Sequence, residues 1–157
     1  MTVPSEALVA DPHSLGMQRH PEGGWYRESF RHPELVTTGR GQRALATCVS
    51  FLLLPGERSA WHRVVSDELW LWQGGGPVRL TVGGRADTPV PDFMCELGAG
   101  GQYLVHGGEW QTAEPATDRA TLVACFVSPG FDFADFELAG PDGLSGYGPA
   151  GAPPTTC

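Results

Sequence analysis

Residues 55–75 read PGERSAWHRVVSDELWLWQGG, and this stretch constrains the fold and the chemistry more than any other part of the chain. An apolar run, Cys48 to Leu54, leads into it, and glycine-containing turns bound it. Residues an even number apart in a β-strand share a face, so His62 and Glu68 would point the same way unless a turn between them resets the count. Burying an imidazole or a carboxylate without a partner costs several kcal/mol, so both must be paired or exposed.

Composition places the chain among single-domain all-β proteins. Its 157 residues are enough for one core, and 22 glycines and 14 prolines divide the apolar residues into many short runs. The net charge of −8 argues against a nucleic-acid partner, because neutralising phosphates takes Lys and Arg. We find no signal-peptide pattern and no apolar run near the roughly 20 residues of a membrane helix, so we expect a cytoplasmic protein without a membrane partner.

Cysteine usage predicts a reduced protein. Four cysteines occur and none forms a CxxC pair, which argues against a zinc ribbon or a redox motif. Cys48 and Cys125 lie in apolar runs and are expected to be small core residues, while Cys157 is expected to be an exposed thiol.

Two strongly apolar runs, Arg43–Leu54 and Ala120–Ser128, predict buried strands, and Pro89–Leu97 predicts an edge strand weakened by Pro91. Phe131–Leu138 alternates aromatic and acidic residues and predicts a strand with its phenylalanines inward. In all, nine or ten short strands at hairpin spacing indicate an antiparallel barrel or jelly roll. The expected boundaries are a flexible arm at 1–16, a barrel at 17–139 and a disordered Gly/Pro-rich tail at 140–157.

After Pro21, the side chains from Trp25 to Phe30 alternate between two faces, as in a half-buried strand. It is read either as an ordinary edge strand or as the wall of a ligand pocket with polar contacts from Tyr26 and Arg27.

Four motifs occur in one order and together resemble the cupin superfamily, and more closely its Cupin 5 family. They are His20–Glu28 (HPEGGWYRE), Trp61–Trp70 (WHRVVSDELW), Gly108–Gln111 (GEWQ) and Val127–Leu138 (VSPGFDFADFEL). The resemblance implies a cupin-type double-stranded β-helix, a jelly-roll barrel whose motif residues line the interior, and a homodimer.

His62 and Glu68 fall in register with the first cupin motif, but Val64 stands where that motif has a second histidine, and Gln111 stands at the histidine of the second motif. Leu71 replaces a further histidine common in the family. An amide oxygen is a poor ligand for a borderline divalent ion, whereas imidazole suits it. The resemblance therefore implies either no cofactor or a weakly held divalent metal on His62, Glu68 and Gln111.

The leading hypothesis is a non-redox isomerase, epimerase, cyclase or lyase acting on a small-molecule metabolite. His62 is expected to be the base, with a pKa raised and a ring oriented by Glu68, and Tyr26 or Tyr103 is expected to return the proton. Arg27 or Arg43 would neutralise a carboxylate or an enolate. Trp25, Trp70 and Gln111 complete the expected substrate-binding set.

Three alternatives stay open at this point. The barrel is a ligand-binding module without chemistry, such as a sensor or carrier. It is a metal-dependent enzyme using His62, Glu68 and Gln111. Or His62 is a core histidine hydrogen-bonded to Glu68 that has no further role.

Overall fold

The structure is a computed structural model that describes residues 11–140 and 155–157. The rest of the predicted flexible arm and tail, residues 1–10 and 141–154, lies outside the described residues. Within the described ranges the chain contains strands and a single turn of 3₁₀ helix, Phe133–Asp135. None of it forms a helix with the length and apolarity needed to cross a membrane.

The strands follow one another with short connections. They are β1 (Gln18–Arg19), β2 (Trp25–Arg31), β3 (Leu35–Thr38), β4 (Gly41–Ala44), β5 (Thr47–Leu53), β6 (Ser59–Val64), β7 (Asp67–Gly75), β8 (Val78–Val82), β9 (Phe93–Leu97), β10 (Gln102–Val105), β11 (Gln111–Pro115), β12 (Thr121–Ser128), β13 (Phe136–Leu138) and β14 (Thr155–Thr156).

Two six-stranded sheets face each other. The first sheet has the order β1-β2-β5-β12-β7-β10, the second has the order β13-β6-β11-β8-β9-β14, and β3 and β4 form a separate hairpin. Every pairing within the two sheets is antiparallel except that of β14 with β9. The all-β, cupin-type jelly roll predicted from the sequence is confirmed.

The connection between β6 and β7 determines how His62 and Glu68 are placed relative to each other. β6 ends at Val64 and β7 begins at Asp67, and the two strands belong to different sheets. The turn resets the alternation of side chains, so His62 and Glu68 are not on one strand. They reach the interior from opposite sheets.

The interior is solid at one side and hollow at the other. Along β12, Val123 belongs to the packed core, Cys125 touches both the core and a cavity, and Val127 lines the cavity alone. The inward face of β5 shows the same change along the strand, from Leu53 in the packed core to Thr47 on the cavity wall. The packed half anchors the strands whose other halves form the site.

Two predicted features differ from the structure. The strand predicted at Pro89–Leu97 begins at Phe93, because Pro89 and Pro91 have no N–H to donate to a ladder. The end of the predicted tail forms β14, which runs beside β9 and brings Cys157 into a disulfide with Cys95. The predictions of a reduced protein and of an exposed Cys157 thiol are therefore wrong.

Candidate functional site

The cavity between the sheets has a volume of about 280 Å³. Ligand pockets commonly enclose roughly 300–1,000 Å³, so this one suits a small molecule. Its wall combines apolar side chains (Val49, Phe51, Val64, Val127, Phe131, Phe133 and Phe136) with polar ones (His20, Glu22, Tyr26, Glu28, Arg31, Thr47, His62, Glu68, Cys125 and Asp132).

His62 is fixed in the wall by its own strand. Its side chain is almost fully buried on β6, and its Nδ1 lies 2.8 Å from the carbonyl oxygen of Ala60. A carbonyl oxygen can only accept, so Nδ1 carries the hydrogen of the neutral ring and Nε2 carries the lone pair.

Glu22 reaches His62 from the turn before β2. Its carboxylate Oε2 lies 3.0 Å from His62 Nε2, and its carbonyl oxygen accepts a hydrogen bond from the Ala60 N–H at 2.5 Å. The turn presses against the barrel because Gly23 and Gly24 have positive φ angles, and a Cβ on Gly24 would come within 2.9 Å of the Leu52 carbonyl oxygen. The glycine pair thus places Glu22 inside the barrel.

Glu22 and His62 hold one proton between them. With Nδ1 donating to Ala60, the 3.0 Å contact needs a hydrogen on either Glu22 Oε2 or His62 Nε2. Burial raises the pKa of Glu22 well above its ordinary value, and the Glu68 carboxylate raises it further. Burial also lowers the pKa of His62 to about 4. Both effects favour the uncharged form, a carboxylic acid that donates to a neutral imidazole.

This pairing corrects the sequence prediction, which gave His62 the partner Glu68 and a raised pKa. The partner is Glu22, and burial lowers the pKa of His62 instead.

His20 supports the same turn. Its Nδ1 accepts a hydrogen bond from the Glu22 N–H at 3.2 Å and lies 3.5 Å from Glu22 Oε2. Burial, and next the neighbouring His62, lower the pKa of His20 to about 4. His20 is therefore uncharged near neutral pH.

Glu68 faces the cavity from β7 with its own hydrogen-bond network. Its Oε2 accepts from Gln111 Nε2 at 2.6 Å, while Gln111 Oε1 accepts from Trp70 Nε1 at 2.8 Å. Burial raises the pKa of Glu68, although hydrogen bonds from Gln111 and Cys125 act in the opposite direction. Glu68 is thus a second buried carboxyl group with neutral partners.

The donor set predicted for a metal does not fit one. The Gln111 oxygen is occupied by Trp70 and its amide N–H points at Glu68, so Gln111 offers that carboxylate a donor rather than offering an ion a ligand. In residues 11–140 and 155–157, no group of three or more His, Cys, Asp or Glu side chains is arranged to hold a metal ion.

An aromatic segment, Phe131–Phe136, forms the partly exposed part of the cavity wall. Phe136 stacks on His62 with ring centroids 5.6 Å apart and an interplanar angle of 30°, and Phe133 is half exposed. Between them, Asp135 accepts hydrogen bonds from Arg43 Nε at 2.8 Å and Nη2 at 2.9 Å. Arg40 Nε donates to the same carboxylate at 3.0 Å, so the β3–β4 hairpin holds this segment in place.

The structure brings some of the predicted site residues together. His62, Glu68 and Tyr26 line the cavity, and the Tyr26 hydroxyl accepts a hydrogen bond from Gln18 Nε2 at 3.1 Å. Gln111 lies behind Glu68, where it bonds Trp70 in the core.

Four other predicted site residues lie outside the cavity wall. Arg43 binds Asp135, and Arg27 is exposed on β2. Trp25 packs against Arg19, whose guanidinium lies 4.1 Å from the ring centroid. Tyr103 stacks on Phe93 at 5.3 Å.

The sequence did not predict a place in the site for Glu22, His20 or the three phenylalanines of the aromatic segment. A signal was present for Glu22, since the glycine pair that follows it marks a turn with a special backbone. Because Glu22 and His62 are far apart in the sequence, their contact could not be predicted from it.

Comparison with known proteins agrees with this architecture. The model of one protein family, Cupin_5, described as "Cupin superfamily (DUF985)", matches residues 12–139. A hypothetical protein from Leishmania major is 32% identical, with 80% of this chain and 82% of that chain covered and a TM-score of 0.68. A protein from Shewanella oneidensis, known from X-ray crystallography, is 31% identical, with 92% and 89% covered and a TM-score of 0.73.

A cupin-like protein from Thermotoga maritima shares the fold at 12% identity, with 81% and 92% covered and a TM-score of 0.54. No curated protein matches the chain. The family match spans most of the chain, and the proteins from Leishmania major and Shewanella oneidensis, both above 30% identity, cover at least four fifths of it. The chain therefore belongs to the Cupin_5 family of the cupin superfamily.

Proposed function

We propose that the protein is a non-redox enzyme of isomerase, epimerase, cyclase or lyase type that acts on a small molecule in this cavity. The observation that carries the proposal is the 3.0 Å contact between Glu22 Oε2 and His62 Nε2 inside a buried pocket. A carboxyl group and an imidazole that share one proton can take up or release another without separating charge over a long distance.

The proton transfer is a relay through Glu22. A substrate C–H or O–H proton passes to Glu22 Oε1, while the proton on Oε2 moves to Nε2 of His62, and the bonding electron pair stays on the substrate. The resulting imidazolium still donates through Nδ1 to the Ala60 carbonyl, so the ring keeps its orientation. Reversal of the relay returns the proton to a neighbouring substrate atom, and the pair regains its starting state.

Glu68 and Tyr26 supply the second half of the chemistry. Burial raises the pKa of Glu68 and so favours its protonated form, which can donate to an oxygen on which charge develops. Tyr26 lines the same wall, and the proposal assigns its hydroxyl as a second donor of this kind. Because Gln111 is committed to Glu68 and Trp70, the proposal assigns no metal to the reaction.

The test is a screen for proton exchange. The protein is incubated in D₂O with a panel of small hydroxy, keto and amino compounds, and deuterium incorporation and isomerised or eliminated products are followed by NMR and mass spectrometry. We expect at least one compound to exchange a carbon-bound proton in a protein-dependent way. Glu22→Gln and His62→Gln should both slow that exchange by about 10²–10⁴-fold.

Tyrosine provides a matched control. Tyr26→Phe removes a hydroxyl from the cavity wall and should slow the reaction, whereas Tyr103→Phe removes one outside the wall and should leave it unchanged. Saturable binding without exchange for any compound would instead indicate a sensor or carrier. Exchange that stops with a chelator and returns with a divalent ion would indicate the metal-dependent alternative.

A further inference from the structure

We propose that the natural ligand of this cavity is a small organic cation, a compound that carries a substituted ammonium group. The inference concerns the same cavity as the proposed function and rests on it, since it names the class of substrate that the enzyme would take.

The ionisable groups on the wall are mostly acidic. Four carboxyl side chains line the cavity, and the only basic group among the described lining residues, apart from two histidines, is Arg31. Arg31 already forms two hydrogen bonds with the carboxylate of Glu28, at 2.9 and 2.8 Å. The four carboxyl groups belong to Glu22, Glu28, Glu68 and Asp132. An anionic ligand would therefore meet acidic groups and an arginine that is already paired.

The histidines do not restore the balance. The pKa of His20 and that of His62 are lowered to about 4, mainly by burial, so both rings are uncharged near neutral pH. The net charge of −8 on the whole chain adds a long-range attraction for cations.

Aromatic rings give the wall a second feature that suits a cation. The rings of Phe51, Phe131, Phe133, Phe136 and Tyr26 all line the cavity. The face of an aromatic ring carries negative potential, and rings together with carboxylates are how proteins hold alkylated ammonium groups. An apolar wall by itself would suit a neutral ligand equally well, but the buried acids favour the cation.

Glu68 is the group that a cation would change most. Gln111, Cys125 and Glu22 interact with Glu68, and none of them is a cation. His20, His62 and Arg31 line the same cavity; both histidines are uncharged near neutral pH, and Arg31 is paired with Glu28. A bound ammonium would stabilise the charged carboxylate, so binding should release a proton from the site. A neutral ligand of the same shape would not cause this release.

The experiment uses a probe and its matched isosteres. Choline, the neutral 3,3-dimethylbutan-1-ol and the anionic 3,3-dimethylbutanoate are titrated into the full-length protein by calorimetry at pH 7, in two buffers with different ionisation enthalpies. We expect choline to bind at least about tenfold more tightly than the alcohol, a difference of about 1.4 kcal/mol, with proton release. The butanoate should not bind detectably.

Two variants locate the effect. Glu68→Gln should abolish the proton release and weaken choline binding about tenfold, with no change for the alcohol. Phe136→Leu keeps an apolar wall but removes a ring face, so it should weaken choline binding more than alcohol binding. This variant tests the proposal independently if Glu68→Gln does not fold. Glu137→Gln removes an exposed carboxylate outside the cavity and should change neither.

Equal or tighter binding of the alcohol, or any preference for the butanoate, would overturn the proposal. Because binding is measured without turnover, the two proposals fail separately. If the protein prefers choline but catalyses no exchange, the proposed enzymatic function is wrong and the proposed ligand class stands. If it catalyses exchange on neutral compounds alone, the enzymatic function stands and the ligand class is wrong.

Discussion

Glu22 and His62 meet through Ala60, whose N–H donates to the Glu22 carbonyl and whose carbonyl accepts from His62 Nδ1. One residue of β6 thus fixes both the backbone of the acid and the tautomer of the base. The 3.0 Å contact between Glu22 Oε2 and His62 Nε2 is a consequence of this arrangement. The relay depends on which atoms carry hydrogens, and here the backbone determines that.

Glu22→Gln should separate catalysis from folding. The amide N–H can donate to His62 Nε2 as the carboxylic acid does, but it is far too weakly acidic to transfer its proton. We expect the rate of substrate deuterium exchange to fall by about 10²–10⁴-fold. The free energy of unfolding in urea should change by less than about 1 kcal/mol. Glu114→Gln, outside the cavity, is the control, and a rate within about twofold of wild type in Glu22→Gln would refute the relay.

Alanine at Gly23 should destabilise the turn that carries Glu22. The φ angle of Gly23 is +103°, and a Cβ there would collide with the Arg58 carbonyl oxygen. We expect a loss of about 1–3 kcal/mol in the free energy of unfolding, measured in urea. Gly39→Ala is the matched control, since Gly39 has no atom within 4 Å of the added Cβ, and it should stay within about 0.5 kcal/mol of wild type. Equal effects of the two substitutions would show that the turn is not constrained.

Asp135→Asn should loosen the aromatic segment over the cavity. The hydrogen bond from Arg43, followed by the charges of Arg40 and Arg43, holds the pKa of Asp135 below its ordinary value, so the carboxylate is charged at neutral pH. Asparagine loses that charge and one acceptor. Amide exchange measured by mass spectrometry should speed up over residues 131–138 and in the β3–β4 hairpin. Glu137→Gln, which breaks an exposed pair with Arg63, should leave exchange unchanged, and protection equal to wild type in Asp135→Asn would contradict the assignment.

The strands could be predicted where local pattern and burial agree. Ala120–Ser128 was predicted as a buried strand, and β12 covers Thr121–Ser128 with alternating burial. The family resemblance, carried by four motifs between His20 and Leu138, predicted the jelly roll, which the family match and the fold of a cupin-like protein confirm. The predicted homodimer and the cytoplasmic location stay predictions.

The partner of His62 could not be predicted from the sequence. Strand alternation relates residues only within one strand, and the turn at Val65 and Ser66 places Glu68 on the other sheet. The carboxylate that reaches the ring comes from a glycine turn before β2, and no local rule relates that turn to β6. Tertiary packing alone makes this contact.

The segment at Phe131–Leu138 shows how local hydrogen bonds can override a pattern. Its alternation predicted one strand with phenylalanines inward, but the Asp132 side chain accepts from the Ala134 N–H at 2.8 Å and caps a 3₁₀ turn. Only Phe136–Leu138 forms a strand, and Phe133 remains half exposed at the cavity. Aspartate competes in this way with strand ladders wherever its side chain can reach the backbone.

Acid should destabilise the protein through its buried histidines. The pKa of His20 falls from 6.5 to about 4 on folding, chiefly through burial, and that of His62 falls equally. Between these values the unfolded chain binds more protons than the folded one, so the free energy of unfolding decreases as pH falls from 6.5 to 4. Each histidine contributes a slope of up to about 1.4 kcal/mol per pH unit.

Glu22 has the opposite effect on the pH dependence of stability. Its pKa is raised in the folded protein, so above its ordinary value of 4.5 the unfolded chain loses a proton that the folded chain keeps, and stability falls as pH rises. A comparison of variants isolates the histidine effect from this opposing one. His20→Asn is suitable because the amide oxygen can still accept from the Glu22 N–H.

We therefore expect the urea-derived free energy of unfolding of His20→Asn to fall less steeply than that of wild type between pH 6.5 and 4, by up to about 1.4 kcal/mol per pH unit. His106→Asn is the control, because the His106 side chain is 58% exposed and stays in water on folding. Parallel slopes for wild type and His20→Asn would mean that His20 is charged in the folded protein. A charged His20 could not accept the Glu22 N–H at Nδ1, and the proton assignment around Glu22 would have to be reversed.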